Sequence, residues 1–250
     1  MMFTTNAGNN SAIAITELMT SAANDQPLAT RPSRWHRYLE ITGIALFALL
    51  ACIVCARIVA SLGDSLTPGR ALMVLLATLL GYLFADLLSG IVHWAFDTWW
   101  TETTPIIGES FVKPFREHHS DPSSITRHDW IETNGNNCLG ALPILGVACM
   151  LPVASTGGVF VTMLLLALSL GLVATNQFHK WAHVESPGRV VSLLQRWHLI
   201  LPATHHSVHH TSPYDTHYCI TTGWFNPVIA ATGVFRKLER MIRTMERAAK

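Results

Sequence analysis

The stretch HHSVHH, residues 205 to 210, places four imidazoles within six positions. Imidazole both binds transition metals and titrates near neutral pH. On a helix His206, His209 and His210 form one patch, being three and four residues apart, and His205 lies to the side. NQFHKWAH, residues 176 to 183, puts His179 and His183 at i and i+4, a spacing that lets two imidazoles on one helix reach one metal. IVHWAFD, residues 91 to 97, gives His93 and Asp97 the same spacing. PFREHHSDPSSITRHD supplies His118, His119 and His128; adjacent histidines on a helix cannot point the same way, and EHH alone is a weak signal. Of 13 histidines, all but His36 fall between positions 93 and 217.

A solvated histidine face is the ordinary alternative. Two protonated imidazoles about 5 Å apart repel by about 3 kcal/mol at an effective dielectric near 20. A cluster of four would therefore stay neutral near pH 7, leaving lone pairs that are costly to bury without a cation or a donor. One pair is often innocent, but several pairs converging favour a metal. HExxH is absent, which removes the common zinc-protease arrangement, and no cysteine-to-histidine spacing suggests structural zinc. Axial haem ligands would lie inside apolar spans, where these histidines do not. A dinuclear, redox-active centre fits best, since imidazole suits iron.

Something must hold these residues together, and the composition says what. Hydrophobic residues make up 50% of the 250 and charged residues 13%, well below the share usual in soluble domains. Ile41 to Leu62 is an apolar run of roughly 33 Å as a helix, enough for a bilayer core. Ala71 to Val92 is a second, interrupted only by Asp86. The runs 139–153 and 159–175 form a helical hairpin, the first of them short. An all-α, integral-membrane bundle of about four transmembrane helices with a cytoplasmic histidine-rich helical cap is the expected fold. Lys and Arg lie before the first run, between the second and third, and after the fourth, so both termini and the histidine face are expected in the cytoplasm.

Residues 1–40 read as a mobile tail without a signal peptide, and 236–250 as a basic amphipathic helix suited to anionic headgroups. Five cysteines without framework spacing imply no structural disulfide. A net charge of +1 gives no basic field for nucleic acid. Asp86, inside a span, is either a helix–helix hydrogen-bonding group or a support for the metal site. Arg116, Lys180 and Arg196 are weak candidates for a lipid phosphate, since cytoplasmic positive charge alone would place them there.

HWAFDTW, PFREHHSDPSSITRHDWIETNGNNCL, NQFHKWAH, LLQRWHLILP, HHSVHHTSP and YCITTGWFNP, in this order, closely resemble the plasmanylethanolamine desaturase family. The likeness runs from about Gly81 to Arg240, with a lipid desaturase domain then spanning 41–240. It implies an iron- and oxygen-dependent enzyme with two iron ions, converting a membrane 1-O-alkyl phospholipid, typically with ethanolamine, to its 1-alkenyl (vinyl ether) form. By the same resemblance His93, His118, His119, His128, His179, His183, His206, His209 and His210 are expected metal ligands. His198, His205, Asp97, Glu117 and Asp86 are expected supports. His217 departs from the pattern, which has an aromatic residue there. Electrons would come from an external donor of cytochrome b5 or ferredoxin type, the sequence having no flavin, Rossmann or iron–sulfur motif. A bacterial inner membrane is the expected location. The same histidine cage could serve an acyl-chain desaturase or hydroxylase, and a metal transporter or sensor is the alternative of a different class.

Overall fold

The computed structural model describes residues 34–63 and 66–248; the expected N-terminal tail lies outside them as far as residue 33. In chain order the helices are α1 (Arg34–Leu62), α2 (Pro68–Thr98), α3 (Lys113–Ser120), α4 (Ser124–Arg127), α5 (Trp130–Met150), α6 (Thr156–Ala182), α7 (Arg189–Arg196), α8 (Ala203–His209), α9 (Asn226–Thr232) and α10 (Val234–Ala248), with a π-helical turn at Gly108–Val112. No strand occurs among the described residues.

Local chemistry sets the helix starts. Thr67 accepts the amide of Arg70 ahead of Pro68, Asp129 accepts that of Glu132, and Ser155 accepts that of Gly158. Each side chain satisfies one of the amides that a first helical turn leaves without a partner. The long helices meet through small residues, as expected where lipid supplies no hydrophobic drive between apolar surfaces. A methyl group on Gly81 would lie 2.4 Å from the Leu164 carbonyl, and one on Gly171 2.6 Å from Ala85 Cβ, so α2 and α6 pack backbone to backbone. Val54, Leu145, Ala148 and Leu166 form the buried core of the bundle. Outward-facing Leu49, Ile53, Leu75, Leu79 and Leu170 give it an apolar exterior.

Three helices, α1, α2 and α6, are long and apolar enough to cross a membrane among the described residues. The sequence reading expects four. The remaining element, α5, is helical for 21 residues, but only the half from Cys138 onward is apolar. Its first half turns polar groups onto α6: Asn134 donates to Gln177 Oε1 at 3.2 Å and Asn137 to the Leu172 carbonyl at 2.8 Å. Arg57 of α1 donates to the carbonyls of Ala148 and Leu151 at 3.2 and 2.6 Å, so a charge inside a span caps the end of α5.

At 31 and 27 residues, α2 and α6 reach roughly 46 and 40 Å, longer than a hydrocarbon core. Their C-terminal turns therefore project beyond it, and those turns carry His93, Asp97 and His179. The C-terminal helix α10 packs back on the same end: Phe235 stacks on Trp94 with centroids 4.9 Å apart and planes 9° from parallel.

Candidate metal centre

Two groups of ligand-type side chains form where α2, α3, α6 and α8 meet. The first joins His118, His179, His183, His206 and His210; the second joins His93, Asp97, His119 and His209. Within each group the ligand atoms lie within 4.8 Å of one another. The groups are neighbours, with the rings of His119 and His210 5.5 Å apart and those of His206 and His209 5.8 Å apart.

Helix geometry explains how few segments fill both. His118 and His119 are consecutive on α3 and so point apart, one into each group. On α8, His206 and His210 share a face and join the first group, while His209 turns to the second. The single patch expected of His206, His209 and His210 is therefore divided. The HxxxH of α6 delivers His179 and His183 together.

In the first group four Nε2 atoms form a closed ring: His179 to His118 at 2.9 Å, His179 to His206 at 2.8 Å, and His210 to both His118 and His206 at 3.0 Å. A neutral imidazole carries one N–H, directed along one line, so it cannot donate to both neighbours in such a ring. Moreover, Nε2 of His183 is buried without a partner. Nitrogens held about 2.0–2.1 Å from one ion at right angles lie about 2.9 Å apart, the spacing seen here. The donor set fits a divalent transition ion.

The second group fits by a different argument. His93 Nδ1 lies 3.1 Å from the Tyr218 carbonyl and His209 Nδ1 2.8 Å from that of Thr216. A carbonyl only accepts, so both Nδ1 atoms carry the proton and both Nε2 atoms present lone pairs. Those lone pairs, with His119 Nε2, face Asp97 Oδ2 at 3.3, 3.6 and 3.1 Å. Lone pairs aimed at a carboxylate repel unless a cation lies among them. Asp97, expected as a support, thus sits as a member of the group. The two carbonyls leave no sequence signal, since any residue supplies one. Phe115 closes the His93 side, 5.1 Å from its ring.

The other expected residues lie apart. His128 stands outside both groups, with Nε2 3.6 Å from Glu132 Oε1. Glu117 is exposed and pairs with Lys113 at 3.7 Å, touching no imidazole. His205 contacts His217, rings 5.0 Å apart, and His198 lies 6.5 Å from His205. Asp86 is buried and accepts the amides of Thr222, Gly223 and Phe225. Of the basic residues, Arg116 donates to the Trp100 carbonyl and Lys180 to that of His128, while Arg196 is exposed at the end of α7.

Burial pushes His118 down to about 2, His183 and His210 to about 4 and His209 to about 3, with repulsion from neighbouring rings adding to it at His118, His209 and His210. Unfolded, each would titrate near 6.5. The unfolded chain therefore binds more protons as the pH falls, and the stability these neutral rings contribute is complete above about 6.5 and lost toward 4. Metal-free protein is expected to show a melting temperature that is level from pH 8 to 7 and falls between 6.5 and 4. A level profile across that window would contradict the neutral cage.

Residues 82–249 match the lipid desaturase domain family. The chain is 46% identical over 218 residues to plasmanylethanolamine desaturase of Myxococcus xanthus, covering 87% of this chain and 75% of that protein. It is 45% identical over 177 residues to plasmanylethanolamine desaturase 1 of Mus musculus, covering 68% of this chain and 65% of the relative. To chloroplastic fatty acid desaturase 4 of Arabidopsis thaliana it is 34% identical over 194 residues, covering 74% and 58%. No solved structure matches.

Proposed function

This chain belongs to the lipid desaturase family, among the plasmanylethanolamine desaturases, and from that premise we propose that it forms the vinyl ether bond of plasmenylethanolamine. The substrate is a 1-O-alkyl-2-acyl-glycerophosphoethanolamine, which loses one hydrogen from each of the two alkyl carbons nearest the ether oxygen. Oxygen is the oxidant and is reduced to water; an external donor of cytochrome b5 or ferredoxin type supplies the remaining electrons. The observation that carries this reading is the pair of adjacent histidine groups at the projecting ends of two spans. A phospholipid places its ether linkage just below the headgroup, the depth at which α2 and α6 leave the hydrocarbon.

The ligand set we assign is His118, His179, His183, His206 and His210 for one iron, and His93, Asp97, His119 and His209 for the other. Bound iron supplies oxygen activation strong enough to take hydrogen from an alkyl carbon. The chain's own contributions are positional and electrostatic. The Tyr218 and Thr216 carbonyls hold two imidazoles in the tautomer that binds metal. Asp97 offsets cationic charge, and the aromatic wall of Phe96, Phe111 and Phe115 borders the His93 side.

His128 is left out of this set. Its alanine variant is expected to keep activity within about threefold of the parent, the scale of a substitution away from buried networks. A loss as large as that of a cage histidine would return it to the ligand list. We place the chain in a bacterial inner membrane, and the distribution of Lys and Arg supports an orientation with the site facing the cytoplasm. Labelling of a cysteine placed on α10 only from the periplasmic side would overturn that orientation.

The direct test is lipid mass spectrometry on a plasmalogen-free bacterium that expresses the chain and is fed 1-O-alkyl glycerol in air. The expected product is two hydrogens lighter and releases a fatty aldehyde in acid. The same mass loss surviving acid would instead establish an acyl-chain desaturase. No product even with a donor system supplied would overturn the proposal.

A further inference from the structure

Asp86 has no role in the ligand set, yet it is a fully buried carboxylate within a membrane-spanning helix. Its hydrogen bonds come from backbone: the amides of Thr222 and Gly223 reach Oδ1 at 2.7 and 2.8 Å, and that of Phe225 reaches Oδ2 at 3.1 Å. The segment supplying them, 216–226, lies along one stripe of α2 for about three turns. The Tyr218 carbonyl meets His93. Cys219 meets Gly90, where a methyl group would fall 2.3 Å from its sulfur. The Ile220 amide donates to Ser89 Oγ at 3.1 Å, and the Trp224 ring meets Tyr82 edge-on, centroids 6.3 Å apart.

This segment runs from the histidine layer down the α2 helix toward the middle of the span. From His93 to Tyr82 the descent is roughly 16 Å. Irregular backbone at that depth persists only where its polar groups are paired within the protein. Ser89 and Asp86 provide that pairing from the helix. Asn226 adds a clamp from the far end, accepting the Cys219 amide at 2.8 Å and donating to its carbonyl at 2.9 Å. Gly223, at φ +79°, makes the turn beside Asp86 that a side chain would strain.

We infer that Asp86 is a positioning residue: it anchors the re-entrant segment 216–226 as the template of the second metal group, so that loading of that group depends on Asp86 and loading of the first does not. The segment's two upper carbonyls, Thr216 and Tyr218, hold His209 and His93. No ring nitrogen of the first group bonds to the segment among the described residues. If the anchor is lost, the segment can slide, and two of the three imidazoles of the second group lose their fixed tautomer and direction. Outer partners of this kind change metal affinity by about 10- to 100-fold. The inference rests on the proposed two-metal reading.

The test is metal stoichiometry on the purified full-length chain in lipid nanodiscs, titrated with Co(II) alone and followed by visible absorption. The parent is expected to bind two cobalt ions per chain. Asp86→Asn keeps one carboxamide oxygen but puts a donor where Phe225 needs an acceptor. It is expected to bind the first ion with unchanged affinity and the second at least tenfold more weakly. Its spectrum at one equivalent should match that of His93→Ala, which removes the second group directly. Should Asp86→Asn fail to insert, Ser89→Ala removes a single bond from the same segment and is expected to weaken only the second ion. Two ions bound by the variant as tightly as by the parent, or equal weakening of both, would overturn the inference. A parent chain that binds fewer than two ions would instead overturn the two-metal reading beneath it.

Discussion

Replacing His179 by alanine is expected to reduce vinyl ether formation by about 100-fold or more, beyond the 10- to 100-fold range typical of outer partners of a metal. His179 is the buried corner of the first group, its Nε2 in contact with those of both His118 and His206. The loss is not a matter of volume alone. The remaining rings keep lone pairs that converge on a poorly enclosed point, and at the same pH they hold an ion less firmly. The chain itself should persist in the membrane, because α6 owes its place to the packing of Gly171 and Leu166 far below the site. Product measured per inserted chain therefore separates a ligand from a folding residue. Activity within a few-fold of the parent at equal insertion would remove His179 from the centre.

Asp97→Asn carries the second large effect, again about 100-fold. Two roles could place a carboxylate beside three imidazoles: membership of the metal group, or orientation of the rings by accepting their protons. The second role is closed to His93 and His209, whose Nδ1–H groups already go to the Tyr218 and Thr216 carbonyls. To donate to Asp97 as well, each ring would have to be doubly protonated, and burial holds His209 near 3. Asparagine keeps the shape and one oxygen but loses the negative charge that offsets the ion. The variant is thus expected to lose metal from the second group along with activity, while Asp97→Glu recovers part of both. Full metal content in an inactive Asp97→Asn protein would mean that the carboxylate acts elsewhere in the reaction.

Much of this centre is legible in spacing. The HxxxH pair at 179 and 183 needs only a helix to bring both imidazoles to one ion, and the apolar run before it guarantees that helix. The pairs at 93 and 97 and at 206 and 210 follow the same rule. How the imidazoles divide is not legible, because it depends on which neighbour each side chain faces. His206, His209 and His210 lie close on one helix surface, yet the rings of His118 and His179 meet His210 and His206 while those of His93 and His119 meet His209. His128 shows the converse, a histidine within a family motif whose side chain turns to Glu132. The Thr216 and Tyr218 carbonyls could not be anticipated, since a backbone oxygen carries no residue identity. The polar half of α5 misleads in its own way: Asn134 and Asn137 interrupt apolar periodicity while leaving the helix intact, because α6 offers partners for their amides. In the sequence Asp86 fits two uses equally for the same reason, its partners being amides of a segment more than 130 residues away.

Both groups are expected to hold iron, and this pair to perform the desaturation. Iron counted per chain, with Mössbauer spectroscopy on one purified sample before and after oxygen and a reduced donor are added, tests it most directly. Two iron ions per chain are expected in imidazole-rich sites, both changing state as 1-O-alkyl phospholipid becomes vinyl ether in that sample. Tightly held zinc, or a single iron, in protein that still forms the vinyl ether would contradict it.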